Sequence, residues 1–202
     1  MDKEELLSSL KNNGFHERIL GAFARVKRED FVHENFKKLA YEDIALPLSN
    51  EQTISQPSTI ALALTLLKLK ENQKVLEVGS GCGYVLALMS EIVGETGKVY
   101  GVEIVKELYD KSIENLKPYN NVTVYNRNGK IHAEEAPFNR ILISAALSEI
   151  PHEVLDQLAD NGIIVAPIGS GFMQTLTSIR KTDTKFTVEK EIPGFIFVHF
   201  VD

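Results

Sequence analysis

Cysteine is almost missing from this 202-residue chain: the single Cys82 excludes an intramolecular disulfide and leaves no thiolate cluster for zinc. Histidine is scarce and scattered. His16, His33, His132, His152 and His199 lie at wide spacings without a His-x-x-x-His pair, so no metal is expected. Positive charge is in deficit too, with 22 Lys and Arg against 28 Asp and Glu, a net charge of -6 and a pI near 5.5. A phosphate-tracking surface concentrates positive charge, so nucleic acid is not expected as a partner. The longest aliphatic run, "IALALTLLKL", is about half the ~20 residues that span a bilayer. The N-terminus, "MDKEELLSSLKNNG", is charged from residue 2 and lacks the basic start and apolar stretch of a secretion signal. These absences lead to the expectation of a cytoplasmic protein with no membrane segment, acting as a monomer.

What is present is an ordinary globular composition, 44% hydrophobic and 25% charged, with 13 glycines, 7 prolines and no repeat or low-complexity tract. The length suits one compact domain. Residues 1–58 read as a helical cap ending in a polar loop, and 59–202 as the main body of the same unit. In the cap, Leu6, Leu7 and Leu10 form one apolar stripe, and Ile19, Leu20, Phe23 and Val26 a second. "EDFVHENFKKLAY" reads as a third, shorter helix. The loop "EQTISQPS", residues 51–58, precedes an almost wholly apolar helix, for which Ser55 or Ser58 could be the cap and Pro57 sits near the first turn.

From residue 59 helices and strands alternate. "QKVLEVG", "KVYGVEI", "NVTVYN", "RILISAA" and "GIIVAPIG" read as strands, separated by "YVLALMSEIVG", "KELYDKSIENLKPY" and "HEVLDQLA" as helices. That rhythm implies an α/β fold with a doubly wound, mostly parallel sheet. "QTLTSIRKT", "KFTVEKEI" and "FIFVHF" have little helix between them, so the sheet should finish in antiparallel strands.

"VLEVGSGCGY", residues 75–84, falls between a strand and a helix. Closely spaced glycines there let the backbone lie against a ligand beside the helix N-terminus. The spacing is G-x-G-x-G at Gly79, Gly81 and Gly83, with an acid at Glu77, and it departs from the G-x-G-x-x-G of dinucleotide binders. Glu103 ends the next strand, twenty-four residues after Gly79, where a carboxylate can accept two hydrogen bonds from a ribose diol. An acid before such a turn suits an ammonium-bearing adenosyl amino acid better than a pyrophosphate. The pattern resembles the first motif of Rossmann-like S-adenosylmethionine methyltransferases.

Together with "VKREDFV", "AYEDIALPL", "TISQP", "EEAPFNRILISAA" and "GFIFVHF", in colinear order from about residue 15 to about residue 200, that turn resembles the protein-L-isoaspartate O-methyltransferase family. The resemblance implies methyl transfer from S-adenosylmethionine to the α-carboxylate of L-isoaspartyl residues in damaged proteins, leaving S-adenosylhomocysteine. It makes residues 1–58 the cap with its active-site loop and 59–202 the cofactor-binding methyltransferase domain. Ser55 would be the active-site serine, with Thr53, Ile54 and Ala146 beside the peptide. Glu77, Gly79, Ser80, Gly81, Gly83, Glu103, Asn128 and Gly129 would contact the cofactor. An ionised carboxylate needs no general base to attack a sulfonium methyl, so Ser55 is expected to orient it as a hydrogen-bond donor and not to act as a nucleophile.

Three positions depart from the family's pattern. Asn128 stands where an aspartate commonly accepts a hydrogen bond from the adenine amino group, which should weaken cofactor binding by about 1 kcal/mol. Asn139 replaces an aspartate and reads as a turn residue. Leu147 replaces an alanine and could narrow the peptide site. Two alternatives therefore stand: a carboxylate methyltransferase with another peptide or aspartyl acceptor, and a catalytically weakened homologue that binds S-adenosylmethionine.

Overall fold

The computed structural model describes residues 1–130, 133–169, 171 and 173–200; His132 lies outside them. Helix α1 (Lys3–Asn12) opens with a capping box in which Asp2 accepts from the Glu5 N–H and Glu5 reaches back to Asp2. Helix α2 (Glu17–Arg25) buries Ile19, Leu20 and Phe23 on the stripe the sequence predicts. "EDFVHENFKKLAY" is a pair of 3₁₀ turns, Arg28–Asp30 and Glu34–Leu39, where the sequence suggests one short helix. A small ribbon, β1 (Leu46–Pro47) with β2 (Thr53–Ile54), then carries the chain into α3 (Pro57–Leu67).

Helix α3 starts with Gln56 as its N-cap and Pro57 in its first turn, and neither Ser55 nor Ser58 caps it. Its free Ser58 N–H instead donates to the Asp43 carboxylate at 2.8 Å, while the Ser58 hydroxyl accepts from Gln56 Nε2. A carboxylate is the stronger partner for an N-terminal amide, and the bend before β1 supplies one.

The main body alternates β3 (Lys74–Val78), α4 (Tyr84–Val93), β4 (Lys98–Glu103), α5 (Lys106–Asn115), β5 (Val122–Asn126), β6 (Phe138–Ile143), α6 (His152–Leu155) and β7 (Leu158–Ile168). It closes with β8 (Gln174–Thr182) and β9 (Lys185–Phe195). The seven-stranded sheet runs β5-β4-β3-β6-β7-β8-β9, parallel through β7 and antiparallel from β7 to β9. Side chains alternate across it with the period of two that strands impose. Val75, Leu142, Ile163 and Val165 face the core shared with α1 to α4, whereas Leu76, Ile141, Ile143, Ile164 and Ala166 face a second core with Val154.

Two expectations change at the C-terminal side. "HEVLDQLA" yields only the four residues of α6, because Leu158 already enters β7. "FIFVHF" is not a strand of the sheet beyond Phe195: the chain turns at Gly194 (φ +99°) and crosses the strand ends. There Val198 O accepts from the Ala146 N–H at 2.7 Å and the Phe200 N–H donates to Ala146 O.

The chain steps outward from β3 through β4 to β5, then returns to the other side of β3 as β6. That reversal leaves a crevice at the carboxyl ends of β3 and β6, the position where open α/β sheets hold ligands.

Candidate active site

The crevice is bounded by the turn after β3, the end of β4 and the residues after β6. Gly79, Gly81 and Gly83 all have positive φ, at +80°, +54° and +87°. At Gly83 any side chain would also meet Leu116, whose Cδ1 lies 2.7 Å from where a Cβ would be. The turn therefore packs tightly on α5 below and presents bare backbone above. Gly129 is equally restricted, since a Cβ there would run into Val78 of β3. Cys82 is a buried turn residue, and burial pushes its thiol up to about 11.

Glu103 ends β4 and is tied to the turn. One carboxylate oxygen accepts from the Gly81 N–H at 2.7 Å and the other from the Val105 N–H at 2.8 Å. Each oxygen keeps a second lone pair, so a diol can still be accepted.

Glu77 is 1% exposed at the end of β3. Its Oε1 accepts from the Ser144 hydroxyl at 2.7 Å, while Oε2 is buried without a partner. Burial pushes the carboxyl up to about 8, with Glu103 adding to the rise and the Ser144 bond opposing it. The Ser80 hydroxyl is likewise buried and unpaired, as are Nε and Nη2 of Arg127, whose guanidinium lies 4.7 Å from the Tyr125 ring centroid. A cluster of unsatisfied polar atoms around one cavity suits a polar ligand there.

Glu77, Gly79, Ser80, Gly81, Glu103 and Gly129 line this cavity, as do Thr53, Ile54 and Ser55. A groove beside it is lined by Thr53, Ser55, Gln56 and Ser144 together with Gly194 to Val198. Ser55 therefore faces both spaces. Its carbonyl accepts from Nη2 of Arg28 at 3.0 Å, and the same fully buried guanidinium donates to Ala40, Glu42 and Ile44.

Other residues read from sequence fall elsewhere. Gly83 lies beneath the turn and outside the cavity lining. Asn128 is beside the cavity, with Oδ1 accepting from the Lys130 N–H at 2.8 Å. Ala146 is buried and acts through its backbone on the terminal segment, while its neighbour Ala145 lines the cavity. Leu147 is packed in the second core and hydrogen-bonded to Pro167 and Gly169, away from both spaces, so it narrows neither. Asn139 lies within β6, where its side chain accepts from the Lys74 N–H at 2.8 Å; it joins two strands and makes no turn.

The sequence reading missed Ser144, Ala145 and Arg127 as lining residues, while Val198 and His199 come from the terminal motif "GFIFVHF". The only available signal for Ser144 was its place directly after a strand in the motif "RILISAA". His16 and His33 are helix-start caps, accepting from the Arg18 and Asn35 N–H groups. Among the described residues no group of three or more His, Cys, Asp and Glu could hold a metal ion, and no helix is long and apolar enough to cross a membrane.

Comparison with known proteins agrees with this geometry. Residues 1–202 match the family described as Protein-L-isoaspartate(D-aspartate) O-methyltransferase (PCMT). The chain is 39% identical to the protein-L-isoaspartate O-methyltransferase of Methanococcoides burtonii over 97% of its length and 98% of that protein's. It is 41% identical to that of Methanothrix thermoacetophila over its whole length and 95% of the relative's. Among solved structures, a protein-L-isoaspartate O-methyltransferase superposes with a TM-score of 0.90 at 28% identity, covering 98% of this chain and 65% of that longer one. A putative family member from Plasmodium falciparum, crystallised in complex with S-adenosyl-L-homocysteine, superposes with a TM-score of 0.84 at 27% identity, over 100% of this chain and 99% of the other. This chain belongs to the protein-L-isoaspartate O-methyltransferase family.

Proposed function

We propose that the chain transfers a methyl group from S-adenosylmethionine to the α-carboxylate of L-isoaspartyl residues in damaged proteins, with Ser55 orienting the acceptor. One observation carries the assignment of the site: Thr53, Ser55, Ser144 and Val198 are walls of both the cavity and the adjoining groove. A donor in the cavity and a peptide in the groove would meet at Ser55.

The residues present fit the cofactor. Glu77 offers an unpartnered buried oxygen to an ammonium group, and Glu103 two spare lone pairs to a ribose diol. Gly79 and Gly81 give close backbone approach beside Ser80. Asn128 Oδ1 retains one lone pair for an adenine amino group, with Gly129 pressed against β3 beneath it. Gly83 shapes the turn from below. When bound, the cofactor supplies a methyl group on a sulfonium sulfur.

The acceptor carboxylate is ionised at neutral pH, so the protein has no proton to remove. Ser55 donates a hydrogen bond that holds one carboxylate oxygen and leaves the other to attack. Thr53 and Ile54 fix the ribbon on one side of Ser55, and Arg28 fixes its carbonyl on the other. Ala146 holds the terminal segment that forms the far wall of the groove. Rate enhancement then comes from alignment and exclusion of water. The buried Leu147 removes the one structural reason to prefer a narrowed site with a different acceptor.

The test is methylation of paired isoaspartyl and aspartyl peptides with labelled cofactor, wild type beside Ser55→Ala. The isoaspartyl peptide alone should be labelled, and Ser55→Ala should lower kcat about 10²-fold, the usual loss for one oriented donor, with S-adenosylhomocysteine affinity near that of wild type. Equal labelling of both peptides, or an unchanged rate in Ser55→Ala, overturns the reading.

A further inference from the structure

We propose that Ser144 is a positioning residue whose hydroxyl holds one oxygen of Glu77 so that the other is aimed at the ammonium group of the cofactor. The inference rests on the assignment of the cavity to S-adenosylmethionine, and it gives a task to a residue that the sequence marks only by its place after a strand.

The geometry comes from the sheet. Glu77 and Val78 pair in parallel with Leu142 and Ile143, so the chain leaves β3 and β6 at the same level. The Ser144 N–H donates to Val78 O at 2.9 Å, which extends the ladder one residue and fixes Ser144 beside the carboxylate. Its Oγ donates to Glu77 Oε1 at 2.7 Å. That leaves Oε2 as the sole unpartnered oxygen of a carboxylate sealed from water. Without the hydroxyl Oε1 loses its donor as well, and the side chain has no polar contact to set its rotamer.

A competing role is built into the same position, because Ser144 also lines the peptide groove with Ser55. A hydroxyl has one proton to donate, so Ser144 cannot hold Glu77 and a substrate carboxylate at once. The observed donation to Glu77 assigns it to the cofactor side. Loss of Ser144 should therefore appear in cofactor affinity and leave the peptide KM in place.

The experiment compares Ser144→Ala, Ser144→Thr and Glu77→Gln with wild type by calorimetry with S-adenosylhomocysteine, and by the KM for an isoaspartyl peptide at saturating cofactor. Ser144→Ala should weaken S-adenosylhomocysteine about tenfold, as expected for a charge-assisted hydrogen bond, with peptide KM unchanged. Ser144→Thr, which keeps the hydroxyl, should bind within about threefold of wild type. Wild-type affinity in Ser144→Ala together with a raised peptide KM overturns the proposal and places Ser144 on the acceptor. Glu77→Gln separates the two levels. If it binds as wild type, the ammonium assignment of Glu77 is itself wrong; if it binds weakly while Ser144→Ala does not, only the role of Ser144 fails.

Discussion

A carboxylate sealed from water with no cation beside it is costly to keep ionised, and Glu77 is such a group until a ligand arrives. Its ordinary value is 4.5 and burial raises it to about 8 in the folded chain. Between those values the folded state binds a proton that the unfolded state has lost, so stability falls as pH rises. The contribution is fully present below 4.5 and gone above about 8, a loss on the order of 3–5 kcal/mol. Thermal scans of the ligand-free protein from pH 5 to 8 should show a declining midpoint that Glu77→Gln flattens. Parallel slopes for the two proteins would sink the idea. The same residue illustrates what could be read without coordinates. An acid before a glycine turn marks Glu77 as a cofactor contact, and Glu103 is marked by its place at the end of the next strand. Ser144, Ala145 and Arg127 have no such spacing, because crossovers between parallel strands bring them in from elements remote in sequence, Ser144 meeting Glu77 across 67 residues. Leu147 was misjudged for a related reason: its side-chain direction is set by a bridge to Ile168 that no local pattern announces.

Among the elements, those with a strong period were legible and those set by tertiary partners were not. Helices α3 and α4 and the parallel strands follow from continuous apolar runs between turn residues, and β8 matches its predicted segment throughout. The terminal "FIFVHF" has a strand's composition, yet after Gly194 its backbone is claimed by Ala146 and by Gln174. Gln174 is 3% exposed; its Oε1 accepts from the Phe197 N–H at 2.9 Å and its Nε2 donates to Gly171 O at 3.0 Å. This one side chain fixes the start of the segment that walls the groove. Replacing it with alanine leaves the Phe197 N–H without its acceptor and should cost about 1–3 kcal/mol in urea unfolding. The peptide KM should rise several-fold while S-adenosylhomocysteine affinity changes little, since the cavity side of the segment is held independently by the Val198 and Phe200 bonds to Ala146. An unchanged peptide KM would show that the groove wall does not depend on Gln174.

At the scale of the whole molecule, the helical cap, the acceptor loop and the start of α4 meet around a buried cation. Arg28 is fully enclosed, donates to four carbonyls from Ala40 to Ser55, and lies with its guanidinium carbon 5.9 Å from the ring centroid of Tyr84, the first residue of α4. It thus ties the cap to the acceptor loop and rests against the helix that follows the glycine turn. Apolar packing joins the same parts, for Leu10, Phe23, Phe31 and Leu46 share one core with Leu64, Tyr84, Leu88 and Val165. Residues 1–58 and 59–202 are therefore proposed to unfold as one cooperative unit. Replacing Arg28 with methionine keeps the apolar stem but strips four carbonyls, one buried and three partly buried, of their donor, and should cost about 2–4 kcal/mol. Arg28→Lys should recover only part of that, because three donors on a point charge cannot span four acceptors held in a planar fork. Urea unfolding followed by far-ultraviolet circular dichroism and by tyrosine fluorescence should give coincident single transitions in wild type and both variants, displaced to lower urea in the order wild type, lysine, methionine. A cap that unfolded first, seen as loss of helix from α1 and α2 preceding the main tyrosine transition because five of the six tyrosines lie in 59–202, would mean that the packing between cap and sheet is too weak to couple them, and that Arg28 organises the acceptor loop without uniting the fold.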